Sequence, residues 1–196
     1  MNINTLNSFN TDYIILDKPK KTDDVYTADV NFTFQTPKLE ILKISKKLTL
    51  KLDENTEKLL NEFDNKIINL ISKNSSIFFE EEISIDEADE IYKSSFKNSK
   101  INVVINKKVH VYNKFKENLD VESLSPNDIV ICLLNCKKII FYKNYCEPLW
   151  EVTQIKLKEI ELDTKSYLFI EDADDIHFES DNIDDDLELN KIQIKN

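Results

Sequence analysis

Apolar and polar residues alternate without interruption along VYTADVNFTF (25–34). Tyr26, Ala28, Val30, Phe32 and Phe34 share one face, and Thr27, Asp29, Asn31 and Thr33 share the other. That pattern predicts a half-buried strand. KLEILKI (38–44) and KLTLKL (47–52) read as two shorter strands, with Leu48, Leu50 and Leu52 facing one way in the second. The period then changes. Leu60, Phe63, Ile67, Leu70 and Ile71 recur at three- and four-residue spacing, so 56–72 reads as a helix capped by Asn55 or Asp53. Ser84 and Glu87 have capping-box spacing ahead of a second, shorter helix, whose inner stripe is Ala88, Ile91 and Tyr92.

Alternation returns after residue 100. INVVIN (101–106) and KVHVYN (108–113) read as a hairpin turning at Asn106-Lys107. Residues 129–134, 138–142 and 149–157 read as three more strands, separated by turns around Asn135 and Asn144. Strands, then helices, then strands predict a mostly-β or α+β domain. A small antiparallel barrel or sandwich with one or two helical insertions fits that order. The expected division is an N-terminal extension over 1–24, a folded domain over 25–162 and an acidic C-terminal tail over 163–196.

Composition narrows the chemistry. Glycine and arginine are absent, while Asn, Ile and Lys abound. This contrast follows codon composition and marks an AT-rich genome rather than a structural demand. Without glycine, phosphate loops and dinucleotide fingerprints are excluded, and turns of positive φ fall to Asn and Asp. Without arginine, bidentate contacts to phosphate or guanine are excluded. The longest apolar run, 129–134, is too short to cross a membrane, and the polar start MNINTLNSFN has no signal-peptide core. The chain is therefore expected neither in a membrane nor secreted.

The net charge of −11 hides a segregation. Residues 171–188 hold ten acids and no lysine, which leaves 27 acids against 26 lysines elsewhere. The body is nearly neutral, and within it lies a basic island. Lys97, Lys100, Lys107, Lys108, Lys114 and Lys116 fall in an acid-free stretch, and Lys137, Lys138 and Lys143 form a second cluster. Aromatic residues are interleaved, among them Tyr112, Phe115, Tyr142 and Tyr145. Lys108, His110, Tyr112, Lys114 and Lys116 share one parity if the strand continues. Lysines around rings suit a single-stranded nucleic acid, because the ammonium groups attract phosphates and the rings stack on bases.

Other candidates are weaker. Cys132, Cys136 and Cys146 form an odd set, expected as reduced thiols. On an extended strand Cys132 and Cys136 lie roughly 13 Å apart, too far to share a zinc ion. Buried apolar thiols are expected, with no metal and no cofactor. His110 and His177 sit in no nucleophile–base motif, and Glu80-Glu81-Glu82 and Lys18-Pro19-Lys20-Lys21 read as solvated runs. No catalytic residue is expected. Trp150 reads as a core residue or the floor of a groove.

Three stretches resemble the single-stranded DNA-binding proteins of large nucleocytoplasmic DNA viruses, related to the podophage type. They are FTFQTPKLEILKI (32–44), NSSIFFEEEISIDEADEIYKSSFK (74–97) and LSPNDIVICLLNCKKIIFYKNYCEPLWEVTQIKL (124–157), the last with a Trp-x-Val-x-Gln signature at Trp150, Val152 and Gln154. The resemblance implies an OB-fold-like barrel, a homodimer or higher oligomer, and a role in viral DNA replication, repair or recombination. It implies work in the host cytoplasm, in a viral factory, or in the nucleus. Single-stranded DNA is then the expected partner, with phosphates on Lys97, Lys100, Lys107, Lys108, Lys114, Lys116, Lys137, Lys138 and Lys143. Tyr112, Phe115, Tyr142 and Tyr145 would stack on bases. The acidic tail would compete for the groove or recruit replication proteins. A virion or replication-complex scaffold and a metal-dependent nuclease are the rival readings.

Overall fold

The computed structural model describes residues 3–6 and 8–158, apart from the side chain of Asn31. The acidic tail and His177 lie outside the described residues. Among the described residues eight strands form one sheet: β1 (Lys20–Thr22), β2 (Val25–Gln35), β3 (Leu39–Ile44), β4 (Lys47–Lys51), β5 (Lys100–Tyr112), β6 (Asn118–Leu119), β7 (Ile129–Phe141) and β8 (Cys146–Lys158). Five of them close on themselves. β3 pairs β4, β4 pairs β5, β5 pairs β8 in parallel, β8 pairs β7, and β7 returns to β3. This is an OB-fold-like closed barrel, mostly β, with one parallel contact in an otherwise antiparallel circuit. β2 extends the sheet from β7, and β1 pairs β2.

The helices sit between β4 and β5: α1 (Glu54–Lys73), α2 (Ser75–Phe79) and α3 (Ile85–Ile91). Asp53, not Asn55, caps α1, its Oδ1 accepting from the Thr56 amide at 2.7 Å. A cap of this kind stabilises a helix by about 1 kcal/mol. The capping box at Ser84 and Glu87 starts α3 as the spacing predicts. Leu60, Phe63, Ile67 and Ile71 are buried along α1. Phe63 joins Phe32 and Trp150, with ring centroids 5.1 and 5.0 Å away. Trp150 is a core residue.

A buried carboxylate ties the helices to the barrel. Asp64 accepts from the Tyr92 hydroxyl (2.8 Å), the Ser94 hydroxyl (2.9 Å), and both the amide (2.8 Å) and hydroxyl (2.5 Å) of Ser95. Ser95 Oγ in turn accepts from Trp150 Nε1 at 2.9 Å. Burial holds the Asp64 carboxyl above the usual range, even though these hydrogen bonds pull it down.

Two expected turns are absent. The residues read as a hairpin at Asn106-Lys107 form one continuous strand, β5, because both halves run parallel to β8. Between the pairs Ile105–Val152 and His110–Gln154, five steps on β5 match two on β8, so the turn-like dipeptide is a bulge. Asn135 likewise lies inside β7, paired with Thr33 on one side and Glu151 on the other. Cys132, Leu134 and Cys136 alternate inward, and the register shift at Cys136/Lys138, with its extra residue on β7, brings Ile139 inward at the opposite parity. All three cysteines are free and buried, and burial pushes the Cys132 and Cys146 thiols up to about 12. The stretch over 1–24 is partly woven into the domain. Asn4 bridges Phe34, and Ile14 and Leu16 belong to the core.

Candidate nucleic-acid interface

β5 is the spine of the site. Its 13 residues span roughly 40 Å at the usual rise, and it lies between β4 and β8. Inward residues Ile101, Val103 and Val111 are fully buried. Ile105 and Val109 also pack against the core, while Lys100, Asn102, His110 and Tyr112 stand in rows that the pairing register extends across neighbouring strands.

The first rows join the start of β5 to β4. Lys51 lies opposite Lys100, Thr49 opposite Asn102, and Lys47 opposite Val104. The Thr49 hydroxyl donates to Asn102 Oδ1 at 2.7 Å, and Lys43 lies opposite Thr49 on β3. Exposed Lys46 sits in the loop between β3 and β4. Lys97 joins this group through a two-residue turn in which Asn98 and Ser99 take φ of 52° and 56°. Two positive φ values make this a primed turn, one that commonly takes glycine. It sets Lys97 and Lys100 opposite each other through a pair of backbone hydrogen bonds of 3.0 and 3.1 Å. Lys51 pairs with Glu40 at 3.2 Å.

The last rows join the end of β5 to β8, β7 and β2. One runs His110, Gln154, Leu133, Gln35, and the next runs Tyr112, Lys156, Ile131. The His110 and Tyr112 rings are near-parallel, 24° apart in plane with centroids 6.2 Å apart. Glu151 continues the Lys47–Val104 row onto β8, where it takes a 2.7 Å ion pair from Lys137 and a 3.4 Å contact from Asn106.

The sequence-predicted residues thus divide. Lys97 and Lys100 stand on the basic rows, Lys107 and Lys108 on the β5 bulge, and Tyr112 on the aromatic rows. β5 ends at Tyr112, so Lys114, Phe115 and Lys116 lie in a turn rather than on the strand face. Asn113 Oδ1 holds that turn by accepting from the amides of Phe115 and Glu117, and Lys116 takes a positive φ of 67°. Phe115 is 68% exposed, with the Lys114 ammonium 5.0 Å from its ring. Lys137 is paired with Glu151, and Lys138 lies opposite Asp29 on β2.

Tyr142, Lys143 and Tyr145 form the tight turn between β7 and β8. Tyr142 stacks on Tyr145 at 4.6 Å, and the Lys93 ammonium lies 3.2 Å over the Tyr145 ring. Tyr145 is therefore already engaged, while Tyr142 is 37% exposed. Sequence reasoning missed Lys43, Lys46, Lys47, Lys51, Lys156, Gln35 and Gln154. The alternation of KLTLK carries the signal for two of them, since inward leucines place Lys47 and Lys51 outward. The two glutamines carry none.

Among the described residues no group of three or more His, Cys, Asp or Glu side chains is placed to hold a metal ion. No helix among them is long and apolar enough to cross a membrane.

No curated protein matches the chain. Among solved structures it is similar to the single-stranded DNA-binding protein of bacteriophage Enc34. The complex of that protein with single-stranded DNA matches at 12% identity and a TM-score of 0.43, covering 75% of this chain and 97% of that one. A C-terminal truncation matches at 12% identity and 0.43, covering 75% and 96%. A third structure of the same phage protein matches at 10% identity and 0.40, covering 78% and 96%. One family model matches residues 37–171, more than half of the chain, and the chain accordingly belongs to that family of unknown function, DUF5871.

Proposed function

We propose that the chain is a non-enzymatic single-stranded DNA-binding protein that coats and protects single strands in viral DNA replication, repair or recombination. The observation that carries this reading is the outer face of β5. Along one strand it joins lysine rows to a ring-bearing row, and two carboxylates beside those rows, Glu40 and Glu151, are each paired with a lysine. The rows offer phosphate attraction at one end and base stacking at the other. The support lies in this chain's own side chains. The acidic residues of 171–188 have the charge to compete for the same face or to recruit basic replication partners. The working form is a homodimer or higher oligomer in a viral factory of the host cytoplasm or in the nucleus.

The test is a fluorescence-anisotropy titration of oligo-dT, about 30 nucleotides long, at low and physiological salt. It uses the full chain and a chain ending at Ile170. Binding should weaken with salt by about 0.7 in log–log slope per phosphate neutralised, and should tighten when the tail is removed. Absence of binding by either form at low salt contradicts the reading. A Mg²⁺ digestion assay should show no cleavage.

One observation favours the scaffold reading. Tyr26, Ile77, Phe79 and Tyr142 are 50%, 58%, 37% and 37% exposed around one groove at the far end of β7. Under that reading the chain binds no single strand and holds a protein partner in a pull-down.

A further inference from the structure

The aromatic end of the β5 face is concave. Tyr112, Gln154, Lys156, Leu133, Gln35 and Lys116 line a groove of about 570 Å³, with Ile3 and Ile131 adding to its apolar wall. No carboxylate lines it. Gln35 and Gln154 have no side-chain hydrogen-bond partner among the described residues, and both are exposed. The groove therefore offers a ring, free carboxamides, an apolar wall and two flanking ammonium groups.

From this set we infer that the groove seats a thymine base and discriminates thymine from uracil by its methyl group. The inference rests on the single-strand reading above and gives that same site a preference among bases. Each part has a partner on the nucleotide. Tyr112 supplies a stacking surface, which alone is tolerant of sequence. A carboxamide presents one donor beside one acceptor, which matches O4 and N3–H of thymine. Apolar side chains are the complement of the C5 methyl, and Ile3, Leu133 and Ile131 provide them. Lys116 and Lys156 stand at the rim for the adjoining phosphates. A guanine or cytosine gains nothing from the apolar wall, and uracil loses the one contact that the wall makes. The groove beside the basic rows, about 810 Å³ and lined by Lys46, Lys107, Asp120 and Glu122, has no aromatic ring and carries two carboxylates, so it offers a base no stacking surface.

The experiment compares oligo-dT with oligo-dU of the same length and the same deoxyribose, by anisotropy with the full chain. Wild type should bind oligo-dT about fourfold more tightly, the worth of one buried methyl group. Ile3→Ser, at an exposed position, should shrink the difference between oligo-dT and oligo-dU. Gln154→Ala, also exposed, should weaken both oligomers. Equal affinity of wild type for the two oligomers overturns the inference, as does a preference that survives both Ile3→Ser and Tyr112→Ala. Failure of wild type to bind either oligomer overturns the single-strand reading instead, so the two failures are distinct.

Discussion

The two halves of β5 lie on one strand of one barrel, yet they present different chemistry. The first half, Lys100–Val104, shares its outer face with β4, a five-residue strand whose outward residues are Lys47, Thr49 and Lys51. The second half, from the bulge to Tyr112, shares its face with β8, which is backed in turn by β7 and β2. One half is a lysine surface without rings. The other is a groove with a ring, amides and an apolar wall. The difference comes from the neighbouring strand rather than from β5 itself. A short polar neighbour leaves charges standing in solvent, where they act at a distance and are screened by salt. Further paired strands build a wall, and contact there depends on shape and chemistry. A strand-binding surface needs both, since charge draws the backbone in and stacking holds the bases.

Loss of the common anchor should have the largest effect and should remove both halves together. Asp64→Ala leaves the Tyr92 and Ser95 donors buried without an acceptor, and should cost at least ~3 kcal/mol of folding stability. Denaturant unfolding checks this. The same group has a pH signature. Its folded-state pKa is raised by burial, so its contribution is complete below the unfolded value and is lost as pH rises through the folded value. Stability should therefore decline from about pH 4 upward through this group, and Asp64→Asn should lack that component of the decline.

Charge removal comes next. Replacing Lys46, Lys47 and Lys100 by alanine should flatten the salt dependence of oligo-dT binding by about 2 in slope if each meets one phosphate. The preference among bases should remain. Tyr112→Ala should do the reverse, with a loss of about 1–3 kcal/mol in affinity and an unchanged slope. If both changes alter slope and affinity in the same proportion, the two halves are not functionally distinct. The smallest effect should come from Lys137→Ala. Its ammonium is already held by Glu151 at 2.7 Å, so the salt slope should move less than for Lys100→Ala, measured in the same titration.

Much of the barrel is legible in local pattern, because alternation reports which side chains face inward. Ala28, Val30, Phe32 and Phe34 are buried as their alternation predicts, although Tyr26 at the strand's start is 50% exposed. What alternation cannot report is the partner strand. Asn106-Lys107 has turn chemistry, and only pairing of both flanks with β8, some 45 residues away in sequence, makes it a bulge. The same limit applies to the site. Lys97 and Lys100 stand out as neighbours in an acid-free run. Lys47 and Lys51 gain their meaning from a register that sets them opposite Val104 and Lys100. Gln35 and Gln154 lie far apart in the chain and meet in one row because Leu133 of β7 pairs with both. The lysines at 114 and 116 show the converse error, since parity carried past Tyr112 ignores the turn that Asn113 makes.

The most direct measurement is photo-crosslinking of the full chain to an oligo-dT carrying a single 5-iodouracil, followed by mass-spectrometric mapping of the attached peptides. The account predicts a principal crosslink at Tyr112, suppressed by competing unlabelled oligo-dT and weakened by salt. Crosslinks confined to the Tyr142–Tyr145 turn, or none at all under conditions of binding, would contradict the assignment of the β5 face as the strand-binding surface.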